Sequence, residues 1–407
     1  MVFLEIYNSF IDIIFSISNF MKEKNSIDIL KSLVSFDTTS YRSNLELVEF
    51  IKQYLKSFKI ESELIYDESK TKANLYATIG PKNNGGVILS GHTDVVPVAD
   101  QTWDSDPFNL IRKDDRLLGR GSADMKGFLA LVLSRVPKMI EVNLSKPIHL
   151  AFSYDEEIGC VGVHRMLDII EKKPYKPSFC IVGEPTGMEV VVGHKGKSGY
   201  NVNVRGLPCH SGHAPNGVNA INFAAKLILH ISELAIDKSI NGPFDYDYEI
   251  PYTTLHTGIV SGGKALNIVP DLCKFEFEIR HISKDDPNEL LNKIKNYTLE
   301  NLIPDMHNTS KETGIYIEEN VSYPGFLVSQ DSQNVKYIKE LLNNNIHKKV
   351  IFGSEAGLFN NRLKLPTVVC GPGSINQAHK PNEYISLNQL EKGGQFLDRL
   401  IASLNNA

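Results

Sequence analysis

The sequence predicts an α/β fold: a large mixed sheet flanked by helices, interrupted by a smaller α+β domain of βαββαβ, ferredoxin-like order. Three observations predict it. Short apolar, β-branched runs without alternation, such as Gly86-Val87-Ile88-Leu89 and Cys180-Ile181-Val182-Gly183, read as buried strands, and helical spacings separate them. The middle of the chain has another texture, with Cys273-Lys274-Phe275-Glu276-Phe277-Glu278-Ile279-Arg280 alternating strictly, as a half-exposed strand does. At 407 residues the chain is long enough for two domains, each with its own core.

Taken in order, Ser26–Val34 reads as a first helix capped by Ser26, and Asn44–Phe58 as a second. Strands follow at Ile60–Tyr66, Asn74–Ile79 and Gly86–Leu89, then a helix over Phe128–Leu133 and strands at Pro147–Ser153 and Cys180–Gly183. The inserted set is Ser198–Arg205, a helix over Asn219–Leu234, strands at Leu255–Val260 and Cys273–Arg280, a helix over Asn288–Leu302, and Gly314–Ile317. Pro366–Cys370 is a last buried strand. The expected division is a leader over 1–20, the large domain over 21–196 and 311–407, and the insert over 197–310. Hinges are expected at Gly193–Lys197 and around Asn308–Ser310.

Composition excludes several classes. A formal net charge of −5 offers no basic surface to a phosphate backbone, so no nucleic-acid partner is expected. Five scattered cysteines, odd in number and without a C-x-x-C pair, suit free thiols in a reducing compartment, which makes the cytoplasm the expected address. Residues 1–20 are strongly apolar, yet Glu5 and Asp12 interrupt them and no basic segment precedes them, so neither a signal peptide nor a membrane span is expected. Their helical spacing allows an amphipathic helix. A natural start at Met21 is the alternative, and the one favoured.

Five segments carry candidate ligands, four of them at strand exits. The strand at Leu89 leaves through Gly91 and presents His92 and Asp94; a carboxylate near a ligating imidazole's second nitrogen orients it. Asp124 stands at a helix start, where a plain N-cap is the commonest role for aspartate. Asp155-Glu156-Glu157 follows one strand directly, Glu184 ends another, and His379 lies in the loop beyond Gly371-Pro372-Gly373. Each has a dull alternative alone, but open α/β sheets gather their sites at strand carboxyl ends, so the five can converge.

Ser90-Gly91-His92-Thr93-Asp94, Gly121-Ser122-Ala123-Asp124-Met125-Lys126-Gly127, Asp155-Glu156-Glu157, Gly183-Glu184-Pro185-Thr186 and the His379 loop, in this order, resemble the di-zinc amidohydrolases of the peptidase M20 type. The likeness runs from about Lys24 to the carboxyl terminus. It implies two Zn²⁺, with Co²⁺ as a substitute: one held by His92 and Glu184, the other by Glu157 and His379, with Asp124 bridging and a cis peptide after it. It further implies Asp94 as the orienter of His92 and Glu156 as general base. In the insert, a lid and dimerisation domain by resemblance, His210 matches the oxyanion-stabilising histidine that dimeric relatives lend to the partner's site, with His213 the competitor. Asn267 and Arg280 match residues that hold the substrate's carboxylate. The implied activity is hydrolysis of an N-acyl amino acid by a homodimer without membrane partners. Gly193–Lys197, Gly353–Gly357 and Gly371–Tyr384 look most like the acetylornithine deacetylases of the family, which act on N2-acetyl-L-ornithine. Succinyl-diaminopimelate desuccinylases and broader aminoacylases or dipeptidases are the alternatives, and a catalytically silent binding protein is the reading from another class. Glu355 either faces the ornithine ammonium group or has a structural role near the metals.

Overall fold

The computed structural model describes residues 25–405, so both readings of the leader lie outside the described residues. The chain falls into two compact units. One comprises 25–192, 328–348 and 354–405; the other comprises Gly193–Leu327 with Lys349–Gly353.

In the first unit, α1 (Ser26–Val34) and α2 (Leu45–Ser57) precede strands β1 (Ser62–Tyr66), β2 (Ala73–Ile79) and β3 (Val87–His92). The cap of α1 is Asn25 and not Ser26: its side chain accepts from the amides of Ile27 and Asp28, while Asp28 reaches back to the Asn25 amide. Short strands β4 (Ile111–Lys113) and β5 (Arg116–Leu118) lead to α3 (Lys126–Ser134) and α4 (Val136–Glu141). Every residue of α3 except Ser134 is buried, as expected of a helix that is apolar on all sides. Then come β6 (Ile148–Ser153), α5 (Val163–Lys172), β7 (Phe179–Pro185) and β8 (Val190–His194).

The second unit holds β9 (Gly196–Arg205), α6 (Ala220–Asn241), β10 (Thr254–Gly262), β11 (Leu272–His281), α7 (Pro287–Tyr297), α8 (Ile303–His307), β12 (Gly314–Tyr323) and β13 (Phe326–Leu327). Its antiparallel sheet has the order β10-β11-β9-β12, with α6 and α7 supplying Leu227, Ile231, Leu290 and Ile294 to a core over Val202, Val204, Phe275 and Phe277. The helix expected over Asn288–Leu302 stops at Tyr297, and a π-turn over Thr298–Leu302 carries the chain into α8. The unit runs from 193 to 327 rather than from 197 to 310, because β12 pairs with β9 from Gly314 to Tyr323 and is part of this sheet.

The chain returns to the first unit with α9 (Gln333–Leu342), α10 (Ala356–Leu363), β15 (Thr367–Gly371), β16 (Tyr384–Ser386) and α11 (Leu387–Ser403), while β14 (His347–Val350) has its last two residues in the second unit. The large sheet reads β1-β2-β6-β3-β7-β15-β8, and a separate three-stranded sheet reads β16-β5-β4. At its centre β3 runs parallel to β6 and to β7, and β7 parallel to β15. Four strands therefore end on one edge. Among the described residues no helix is long and apolar enough to cross a membrane.

Candidate metal centre

That shared edge is why residues far apart in sequence meet. His92 is the last residue of β3, Glu184 lies near the end of β7, Glu156 and Glu157 follow β6, and His379 lies in the loop after β15. Gly183, just before Glu184, lets β7 close on α3; a Cβ there would meet the Phe128 ring at 2.2 Å. His379 takes a left-handed backbone (φ 62°), a conformation that costs a non-glycine residue on the order of 1–3 kcal/mol and aims its ring at the carboxylates.

Asp124 is central. Its two oxygens face different imidazoles: Oδ1 lies 3.1 Å from His92 Nε2 and Oδ2 lies 3.4 Å from His379 Nε2. His92 Nε2 is also 3.8 Å from Glu184 Oε1, and His379 Nε2 is 2.9 Å from Glu157 Oε2. The N-cap alternative for Asp124 does not hold, since α3 starts at Lys126 and Met125 occupies its cap position without a side-chain cap bond. A cis peptide joins Asp124 to Met125. Two triads offer ligand atoms that all lie within 4.8 Å of one another: His92, Asp124 and Glu157, and His92, Glu156 and Glu184. Glu156 thus sits among the ligand candidates as well as in the place expected of a base.

The Asp94 carboxylate, expected to orient His92, is not the nearest partner of that ring. The nearer partner of His92 Nδ1 is the Asp94 main-chain carbonyl at 2.9 Å, with carboxylate Oδ1 at 3.5 Å. The buried carboxylate accepts from the amides of Glu156 (3.1 Å) and Glu157 (3.2 Å) and from the Ser40 hydroxyl (2.8 Å). It ties the exit of β3 to the exit of β6. Ser40 carried no motif and sequence reasoning missed it. Asp155 turns away through a left-handed backbone (φ 54°) and pairs with Lys72. Glu355 is buried in the same unit, and its Oε2 accepts from Ser90 at 3.3 Å, two residues before His92.

The remaining candidates belong to the second unit. His210 is exposed at the start of a turn, where its Nδ1 accepts from the Gly212 amide; its ring centre is 6.5 Å from that of His213. The Asn267 carbonyl accepts from the Ser211 amide, which places Asn267 beside His210. Arg280 is not a solvated strand residue. Its guanidinium donates to Glu278 (2.9 Å) and to the Tyr323 hydroxyl (3.0 Å).

The first unit's cluster has the charge balance of a cation site. Burial pushes Glu156 and Glu184 well above the usual carboxyl range and Glu157 up to about 7. Burial alone would lower His92, yet the Asp124 and Asp94 carboxylates hold it well above its ordinary value, and Asp124 and Glu157 push His379 up to about 10. Two imidazoles are too few for so many buried acids, and divalent cations would supply the missing charge. The donors are nitrogen and oxygen. Cys160 Sγ lies 3.4 Å from Glu156 Oε1, burial drives its pKa well up, and it belongs to neither triad. The residues fit a hard or borderline divalent metal.

The profile of peptidase family M20/M25/M40 matches residues 88–403. An acetylornithine deacetylase of Pasteurella multocida is 30% identical over 386 residues, covering 95% of this chain and 98% of the relative. One from Proteus mirabilis is 31% identical over 375 residues, covering 91% and 92%. Among solved structures, the M20 family metallo-carboxypeptidase Sso-CP2 of Sulfolobus solfataricus aligns with a TM-score of 0.73 at 19% identity, over 93% of this chain and 98% of its own. The match over most of the sequence, on a fold whose ligand candidates converge, makes this chain a member of peptidase family M20/M25/M40 and a metal-dependent hydrolase.

Proposed function

We propose that the chain is a dinuclear zinc amidohydrolase that cleaves the amide of an N-acyl amino acid, with N2-acetyl-L-ornithine as substrate and L-ornithine and acetate as products. The observation that carries the chemistry is Asp124, with one oxygen toward each imidazole and a glutamate beside each. The two acetylornithine deacetylase relatives, similar over nearly their whole length, support the substrate.

His92 and Glu184 would hold one ion, Glu157 and His379 the other, and Asp124 would bridge them. If bound there, Zn²⁺, or Co²⁺ in its place, would supply an acidified water and polarise the amide carbonyl. Glu156 takes the water's proton on its carboxylate and passes it to the leaving nitrogen, so the amine departs neutral. Burial raises its proton affinity, which suits that shuttle. Asp94 holds the Glu156 and Glu157 amides, and through them the base and one ligand stay in place. In the second unit, His210 donates to the oxyanion, and Asn267 and Arg280 take the substrate's α-carboxylate. The protein works as a cytoplasmic homodimer, with His210 serving the partner's site. Glu355, bonded to Ser90 beneath β3, supports the His92 strand rather than meeting the ornithine ammonium.

A panel of N2-acetyl-L-ornithine, N-succinyl-diaminopimelate and N-acetyl-methionine tests the reading. The acetylornithine kcat/KM is expected to exceed the others by at least about tenfold, the scale that a few pocket contacts provide. A preference for the succinyl substrate would move the chain to the desuccinylases. Turnover of none, together with no bound metal, would leave the silent binding protein.

A further inference from the structure

His379 and Asp124 lie on different segments, and the charged pair between those segments is Arg120 with Glu383. Both are 1% exposed, and Arg120 Nη1 meets Glu383 Oε2 at 2.8 Å. The glutamate is used to capacity. Oε2 also accepts from the Gly121 amide (3.0 Å), while Oε1 accepts from the amides of Ala123 (2.8 Å) and Asp124 itself (3.0 Å). One carboxylate thus gathers the three amides that shape the turn carrying Asp124.

The same group is anchored to the His379 loop. Glu383 lies four residues after His379, and Arg120 donates to the Lys380 carbonyl at 3.3 Å. Arg120 Nη2 donates to Gln101 Oε1 (2.6 Å), and Gln101 Nε2 in turn donates to the carbonyl of His379 (3.1 Å). The Trp103 indole donates to the same Gln101 oxygen, and its ring lies 5.1 Å from the Arg120 guanidinium carbon. Asn382 accepts from the Asp104 amide. The left-handed backbones at His379 and Asn382 are thus held from three sides.

We propose that Glu383, Arg120 and Gln101 form a positioning clamp that sets the distance between Asp124 and His379 and so the spacing of the metal centre. The proposal rests on the reading of Asp124 and His379 as metal ligands. None of the three clamp residues belongs to either ligand triad. They act through the Asp124 amide and the His379 carbonyl. A carboxylate is required because all its partners are donors. An amide would turn an NH₂ group toward either the Ala123 and Asp124 amides or Gly121 and Arg120.

The test titrates metal-free protein with Co²⁺, by calorimetry and by the visible spectrum, in the wild type and in Glu383→Gln, Glu383→Asp and Gln101→Ala. Glu383→Gln is expected to lose roughly 10- to 100-fold in Co²⁺ affinity and to shift the spectrum, the usual scale for groups that hold ligands in place. Glu383→Asp keeps the carboxylate and recovers part of the loss. Gln101→Ala, at a half-buried surface position, keeps the wild-type melting temperature and still weakens Co²⁺ binding. In the loaded enzyme kcat falls while KM changes little. If Glu383→Gln and Gln101→Ala match a wild type that binds Co²⁺, the clamp is overturned and the centre stands. Equal losses in Glu383→Asp and Glu383→Gln, with wild-type binding in Gln101→Ala, also overturn it, because the glutamate then serves stability alone. A wild type that takes up no Co²⁺ overturns both the centre and the clamp.

Discussion

Asp94→Asn isolates what the carboxylate between β3 and β6 contributes. The wild-type group accepts the Glu156 amide on Oδ1, and the Glu157 amide and the Ser40 hydroxyl on Oδ2. The variant has the same shape but one acceptor oxygen. Placed at the Oδ2 position, that oxygen keeps Ser40 and Glu157, and the new NH₂ faces the Glu156 amide, donor against donor. One hydrogen bond to a charged acceptor is lost, worth about 1.5–3 kcal/mol, and the two that remain weaken without the charge. The sum is about 3–5 kcal/mol. In a domain of this size each kcal/mol moves the melting temperature by about 2–4 °C, so metal-free Asp94→Asn should melt roughly 6–20 °C below the wild type. Hydrogen exchange should accelerate at the Glu156 and Glu157 amides before it does elsewhere. The His92 ring keeps its main-chain acceptor, the Asp94 carbonyl at 2.9 Å, so the activity loss should be a displaced base and ligand, about 10- to 100-fold. Wild-type stability together with unchanged exchange at 156 and 157 would refute the reasoning.

Glu156→Gln should keep the wild-type metal content and lower kcat by at least about a hundredfold, the scale of a lost general base; loss of one metal equivalent would instead make Glu156 a ligand. His149, buried beneath Tyr76 and Thr78, is pushed down to about 4 by burial, below the roughly 6.5 of an unfolded chain. The unfolded state then binds the extra proton, so stability present above pH 6.5 is lost as pH falls toward 4, by about 2 kcal/mol at pH 5. The melting temperature of metal-free wild type should fall more steeply over that window than that of His149→Asn, and parallel slopes would contradict the assignment. For donation of His210 across a dimer, mixing inactive His210→Ala with inactive Glu156→Gln should restore activity, since a mixed dimer has one site with both groups intact. No recovery after subunit exchange has been shown with a label would leave His210 acting within its own chain.

Much of the candidate centre was legible because its signals are local. A buried strand needs an unbroken apolar run, and several polar residues at or beyond such ends are hard to dismiss together, so His92, Glu156, Glu157, Glu184 and the more distant His379 stood out as a set. The alternating strands of the insert were equally plain, since a sheet covered by helices on one face writes a period of two into its residues. The bounds were less so. Gly314–Ile317 read as a short strand, whereas pairing with β9 carries it to Tyr323, and main-chain pairing leaves little trace in side-chain type.

What only the tertiary structure decided are the contacts between segments. Nothing near Asp94 announces that its carboxylate would take two amides more than sixty residues away. Glu383 stood inside the Gly371–Tyr384 stretch without a role of its own, although it binds three amides of the Asp124 turn. Strand exits and periodicity are written into neighbouring residues by the water each face must meet or avoid. A buried acceptor's partners are set by which backbone amides the finished fold leaves unsatisfied, and that is a property of the packed chain alone.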